Sequence, residues 1–166
     1  MLIRTAREDD AADLLGLLKQ LDRETRFMMY EPDERTITVW ELEDLLRDVL
    51  AGANGTVLVA EDDDRMIGFL EATGGAFRRN RHVAHLVVGV LGAYAGRGIG
   101  TALMEEVERW ARGCGVHRLE LTVMTHNAAA LALYQKAGFG IEGTRRQSLL
   151  VDGSYADEHY MAKLLV

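Results

Sequence analysis

Apolar positions recur along this chain at two spacings: steps of three and four mark helices, while alternation or a short unbroken run marks strands. Residues 2–6 read as a short strand, after which Asp9 or Asp10 can cap a helix carrying Ala11, Leu14, Leu15, Leu18 and Leu21 on one face. That helix ends near Thr25, and residues 27–35 form a loop holding Met28, Met29, Tyr30, Glu31 and Pro32. A second helix follows, with Leu42, Leu45, Leu46 and Val49 inward, and stops at the glycines of 52–55.

The β-type runs 56–61 and 66–72 flank the acidic turn Asp62-Asp63-Asp64-Arg65, which predicts an antiparallel hairpin. Residues 83–90 are the next strand. A glycine-rich turn then opens a helix to about Gly113, with Ile99, Leu103, Val107 and Trp110 at three- and four-residue steps, and residues 117–124 return as a strand. A strand-helix-strand crossover makes those two strands parallel. Asn127 can cap a helix through about Gly138, and residues 141–151 and 155–165 form a last pair of strands around Asp152-Gly153. The expected architecture is α/β (α+β): a mixed, mostly antiparallel sheet of about seven strands flanked by about four helices.

The stretch most loaded with chemistry is V-G-V-L-G-A-Y-A-G-R-G-I-G-T over 88–101. Gly96, Gly98 and Gly100 leave the peptide N–H groups unshielded, and the first donors of the following helix have no partners inside it. Free donors and the positive end of the helix dipole point the same way, which suits a phosphate.

Composition narrows the function classes. At 166 residues and 48% hydrophobic content the chain is one domain, residues 1–166, with a sizeable core. A net charge of −7 speaks against a nucleic-acid surface, and Arg78, Arg79 and Arg81 read as a solvated turn. Cys114 is alone, so no internal disulfide forms, and its place on the helix face predicts a core residue. The acidic triplet at 62–64 lacks the spaced ligands of a calcium loop, and His117, His126 and His159 lack metal-ligand spacing, so no metal is expected. With no signal-like start and no membrane-length apolar run, the expectation is a soluble cytoplasmic protein without membrane partners.

A second segment, T-H-N-A-A-A-L-A-L-Y-Q-K-A-G-F over 125–139, sets Asn127 and Tyr134 seven apart, on one side of a helix. Taken alone it reads as an N-cap and a half-buried tyrosine. Taken with the glycine turn, the chain resembles the GNAT superfamily of N-acetyltransferases, whose pyrophosphate motif reads Arg/Gln-x-x-Gly-x-Gly/Ala. Ala95-Gly96-Arg97-Gly98-Ile99-Gly100 matches it except at the first position, and Asn127, Leu133, Tyr134, Gly138 and Phe139 match the second signature. The late Gly153, Tyr155, Asp157 and Glu158 resemble one branch of the family.

The resemblance implies a GNAT-like fold, acetyl-CoA as cosubstrate, and acetyl transfer to a primary amine of a small molecule or peptide by direct attack on the thioester. By position it implies that Val88 and Val90 present backbone groups to the pantetheine and acetyl carbonyl, and that the amides of Ala95, Gly96, Arg97, Gly98, Ile99, Gly100 and Thr101 hold the pyrophosphate. Asn127 would contact the cofactor arm and Tyr134 would sit beside the sulfur. Ala95 removes one side-chain phosphate contact and leaves the backbone donors.

The chemistry fits these residue types. The oxyanion that develops on the acetyl group needs a preorganised donor, and a backbone N–H near Val90 is a candidate, an effect often worth about 3 kcal/mol. A phenol with pKa about 10 facing a thiol near 8.5 makes Tyr134 a hydrogen-bond donor to the leaving group rather than a full proton donor. Amines are protonated at neutral pH, so a base is required: Glu71 on the third strand, His85 on the fourth, Glu31 in the helix-helix loop and a water chain all remain open.

Two rival functions share the glycine turn. Gly96-x-Gly98-x-x-Thr101 with Glu120 imitates a dinucleotide fingerprint, but the third glycine is replaced and only one strand-helix-strand unit exists. A non-catalytic acyl-CoA-binding regulatory module would keep the pocket without turnover. The acceptor pocket, built by the 27–35 loop and the late hairpin, carries no recognisable code, and a homodimer is compatible with the resemblance.

Overall fold

The computed structural model describes all 166 residues. The elements follow the predicted order: β1 (Leu2–Thr5), α1 (Ala11–Glu24), α2 (Val39–Ala51), β2 (Thr56–Asp62), β3 (Arg65–Gly74), β4 (Val83–Val90), α3 (Ile99–Cys114), β5 (Arg118–Met124), α4 (Ala128–Lys136), β6 (Gly140–Val151) and β7 (Ser154–Leu164). The seven strands make one sheet in the order β1-β2-β3-β4-β5-β7-β6. Only β4 and β5 pair in parallel.

Local chemistry explains the turns. Asp63 and Asp64 (φ 47° and 61°) close the β2–β3 hairpin, and Asp152 and Gly153 (φ 49° and 79°) close β6–β7. Paired left-handed residues give a two-residue turn whose twist matches that of the strands, and aspartate tolerates that conformation better than most residues. Helix α2 starts on a reciprocal cap, in which Glu41 N–H donates to Thr38 Oγ1 at 3.2 Å and Thr38 N–H donates to Glu41 Oε2 at 2.7 Å.

Residues paired across neighbouring strands share a face of the sheet. The β3–β4 register therefore sends Gly68, Leu70, Val88 and Val90 to one face and Phe69, Glu71, His85, Val87 and Gly89 to the other. Helix α3 covers the first face: a Cβ on Gly68 would lie 3.5 Å from Ile99 Cγ2. Helix α1 covers the second, so closely that a Cβ on Gly89 would stand 2.9 Å from both Leu21 Cδ1 and Phe69 Cε1. Only glycine fits at that contact.

Three expectations change. Asp10 precedes α1 but does not cap it: its carboxylate takes Arg4 at 2.7 and 2.8 Å and Arg7 N–H at 2.6 Å. The Arg4 guanidinium holds that carboxyl below the usual aspartate range, and the same arginine reaches Glu61 at 2.6 Å, tying β1, β2 and the start of α1 together. Leu45 is 51% exposed, because α2 buries a narrow stripe through Leu42 and Leu46. Cys114 is exposed in the last turn of α3; after Gly115 reverses the chain at φ 80°, Val116 takes the core position instead. Trp110 is half-buried beside the fully buried Leu103 and Val107.

Candidate active site

The parallel pairing of β4 with β5 is short, running only from Val83–Arg118 to His85–Glu120. Beyond it β4 continues along β3 to Val90, and β5 continues along β7 to Met124, so the two strands part. Gly75 N–H donates to Val83 C=O and Leu91 N–H to Ile67 C=O, both at 2.9 Å, so odd-numbered residues aim their main-chain groups at β3. By alternation Val88 and Val90 aim theirs into the gap, where no strand meets them. A cavity of about 780 Å³ opens there. That is ample for a small ligand.

On the α3 side of this wedge the wall is backbone. Gly96 (φ 73°) and Gly98 (φ 81°) hold left-handed conformations, and Gly98 precedes α3 without any side-chain cap. The first helical bond runs from Ala102 N–H to Gly98 C=O at 3.0 Å, so no main-chain carbonyl takes the N–H groups from Gly96 to Thr101. Ala95 differs, because its N–H donates to Gly92 C=O at 3.1 Å. A Cβ on Gly96 or Gly98 would meet nothing within 4 Å, whereas on Gly100 it would press to 2.9 Å from Leu133 Cδ2. The first two glycines keep the donors open, and the third lets α4 approach. Arg97 lies outside the cavity, its guanidinium 5.1 Å from the Tyr94 ring.

Helix α4 places the other predicted residues. Asn127 Oδ1 accepts Ala130 N–H at 3.2 Å, the N-cap role expected of it, and the residue also lines the cavity. Tyr134, 7% exposed, lines it too. After Gly138 (φ 93°) the chain turns back, Phe139 N–H donates to Tyr134 C=O at 2.9 Å, and the two rings lie 6.1 Å apart. Burial pushes the Tyr134 phenol well above the ordinary tyrosine value, with no charge or hydrogen bond of the chain offsetting it.

On the α1 side the wall is side chain. Leu21, Phe27, Met28 and Met29 line it from the end of α1 and the following loop. Glu24 Oε1 accepts Gly92 N–H at 2.6 Å, joining that helix end to the glycine turn. The loop is anchored at its far end by Arg35, which grips the buried Asp22 at 2.8 and 3.0 Å. A two-pronged charged pair of this kind is directional and holds the loop in one place.

Of the base candidates, His85 lines the cavity. Glu71 lies on the same face but outside the lining, accepting from Thr73 Oγ1 at 3.0 Å. Glu31 is exposed and also outside it. Sequence reasoning did not single out Glu24 or the buried Glu158 as site residues, although both line the cavity. Only the β5–β7 register, which pairs Glu158 with Met124, brings the latter to the wedge. No three of the chain's His, Cys, Asp and Glu side chains cluster in a metal-holding group.

The profile of the acetyltransferase (GNAT) family matches residues 17–139. The chain belongs to this family. It is 39% identical to L-amino acid N-acetyltransferase AaaT of Escherichia coli K12 over 111 residues, which are 64% of this chain and 67% of that one. With N-alpha-acetyltransferase RimI of Mycobacterium tuberculosis it shares 51% identity over 69 residues, 42% of each chain. A solved GNAT acetyltransferase from Streptococcus pneumoniae superposes with a TM-score of 0.96 at 34% identity, covering 99% of both chains.

This GNAT chain is thus an acetyl-CoA-dependent N-acetyltransferase with an amine acceptor, and the seven-stranded mixed fold read from its sequence is the fold it has. The residues present suit acetyl-CoA: six consecutive free N–H groups from Gly96 to Thr101 form an anion cradle at a helix start, and an unpaired strand edge leads from it into the wedge. No helix is long and apolar enough to cross a membrane.

Proposed function

We propose that residues 1–166 act as a single domain that acetylates the α-amino group of an amino acid or a peptide. The observation that carries this is the wedge between β4 and β5, which joins the backbone cradle on one face of the sheet to an apolar pocket on the other. The two named relatives, an L-amino acid and an N-alpha acetyltransferase, support the choice of α-amine over other amines.

Bound acetyl-CoA supplies an acetyl group activated as a thioester. The N–H groups of Gly96, Arg97, Gly98, Ile99, Gly100 and Thr101 hold its pyrophosphate, while Ala95 shapes the turn, its own N–H being occupied. Val88 and Val90 give main-chain hydrogen bonds to the arm, and the Val90 N–H stabilises the charge that grows on the carbonyl oxygen. Asn127 fixes the start of α4 beside that arm. Tyr134 stays neutral and donates a hydrogen bond to the departing sulfur. His85 passes the released proton toward solvent, and Glu71, on the same face, acts on it through water.

We further propose a cytoplasmic homodimer. Strand β6 supports the dimer: twelve residues long at the edge of the sheet, it exposes Ile141 and Leu150.

The test couples binding to turnover. Free CoA and acetyl-CoA at about one hundred times their dissociation constants should each add about 2.7 kcal/mol of stability, with no shift from NAD. Thiol release should then follow L-amino acids or amino-acid amides and not Nα-acetyl-L-lysine amide. Turnover of the side-chain amine alone would overturn the α-amine assignment. A CoA shift without turnover of any amine would leave a regulatory module.

A further inference from the structure

We infer that Glu158 is the residue that receives the acceptor's ammonium group, binding it and taking its first proton; this assignment rests on the α-amine acceptor proposed above. Glu158 lies within β7, opposite Met124 of β5 and Arg145 of β6. Cross-strand partners share a face, and the His85–Glu120 register places Glu120, Thr122 and Met124 on the face of His85 and Val87. Glu158 therefore enters the wedge from the acceptor side, and Tyr134 from the cofactor side.

Its hydrogen-bond inventory is lopsided. Ser148 Oγ donates to Oε1 at 2.8 Å, and Arg145 Nη1 approaches the same oxygen at 3.5 Å. Nothing in the chain donates to Oε2. The residue is only 4% exposed, yet no fully buried side-chain polar atom of the protein is without a partner. Oε2 must therefore touch open space, and the space that Glu158 lines is the cavity. A buried carboxylate with one oxygen held and the other bare needs a donor from outside the chain.

The other cavity carboxylate is already engaged. Glu24 Oε1 accepts Gly92 N–H at 2.6 Å, and Gln20 Nε2 stands 3.5 Å from its Oε2. The other ionisable side chains of the lining, His85, Lys136, Tyr94 and Tyr134, are an imidazole, an amine and two phenols, so Glu24 and Glu158 are its only carboxylates. Glu158 is thus the anion available to a primary ammonium, whose three donors suit a carboxylate oxygen.

In the step that follows, the ammonium gives one proton to Oε2 and the freed nitrogen lone pair forms the new N–C bond. The C–S bond breaks with its electron pair on sulfur. The second proton lost by nitrogen ends on that sulfur beside Tyr134, and the proton on Glu158 is the one that His85 then passes toward solvent. The balance is one ammonium and one thioester to one amide, one thiol and one proton.

The test is Glu158→Gln, which keeps the shape and an oxygen for Ser148 while removing the charge. The probe is L-leucinamide, an apolar α-amine with no carboxylate to be repelled by Glu24 and Glu158. In protein saturated with free CoA, calorimetric binding of L-leucinamide should weaken roughly tenfold or more. With acetyl-CoA, kcat/KM should fall about 100-fold. The stabilisation by free CoA should equal that of the wild type. Tyr134→Phe should show the opposite split, with lower kcat and unchanged L-leucinamide binding.

Ser148→Ala, which loosens the carboxylate without removing it, should raise the KM for L-leucinamide about fivefold with little change in kcat. This variant carries the test if the glutamine protein does not fold. Glu158→Gln that binds and acetylates like the wild type, or an unchanged KM in Ser148→Ala, overturns the inference. The same proteins are also assayed on Nα-acetyl-L-lysine amide. Turnover of that amine alone defeats the α-amine assignment, and Glu158 then stands or falls on whether Glu158→Gln abolishes that turnover.

Discussion

The two walls of the wedge are built on opposite plans. On the α3 side the useful groups are main-chain N–H donors within six consecutive residues, Gly96 to Thr101, presented because glycine takes the left-handed turns and leaves them uncovered. On the α1 side they are side chains from far along the chain: Phe27 and Met28 after α1, His85 in β4, Glu158 in β7. A backbone donor run of this kind suits a phosphate whatever the rest of the ligand is. A side-chain site can change its ligand by single substitutions.

If the halves are independent, variants on one wall should leave the other's ligand untouched. The largest effect falls where they meet. Tyr134→Phe should lower kcat about 100-fold while the Kd for CoA holds. Because burial pushes the phenol above its ordinary value of about 10, it stays protonated throughout the neutral range, and the rate ratio of wild type to variant should be flat from about pH 6 to about pH 9. A ratio that changes within that range would mean the phenol ionises during turnover.

Gly98→Val comes next. A β-branched residue at φ 81° costs about 1–2 kcal/mol, so CoA affinity should drop roughly tenfold, measured by calorimetry, with the acceptor KM unmoved. Phe27→Ala should have the smallest effect, raising the acceptor KM about threefold through lost apolar contact, because the ring is already 42% exposed. Either variant shifting both ligands would show that the walls are coupled, most directly through the Glu24–Gly92 bond that spans them.

Much of the fold could be read because its causes are local. The order of elements, both two-residue hairpin turns and the parallel β4–β5 crossover each follow from patterns a few residues long. The misjudged positions share a reason. Leu45 and Cys114 sit at helical spacing, but the breadth of the buried stripe depends on what packs against the helix, and both side chains stay exposed. Asp10 had a capping residue's type and place, yet Arg4 on the preceding strand drew its carboxylate away. Ala95 fell inside the expected donor run until the short turn at Gly92–Tyr94 engaged its N–H.

The sequence by itself pointed to the family, to the glycine-spaced run of free N–H donors and to the residues of α4, because an anion-binding backbone is specified by glycine spacing and a helix start. The tertiary structure alone decided that β4 and β5 separate after His85, that Val88 and Val90 face the gap, and that Glu158 comes to line it. Those facts depend on strand register. Register arises from the packing of whole faces against one another, and no window of consecutive residues contains it.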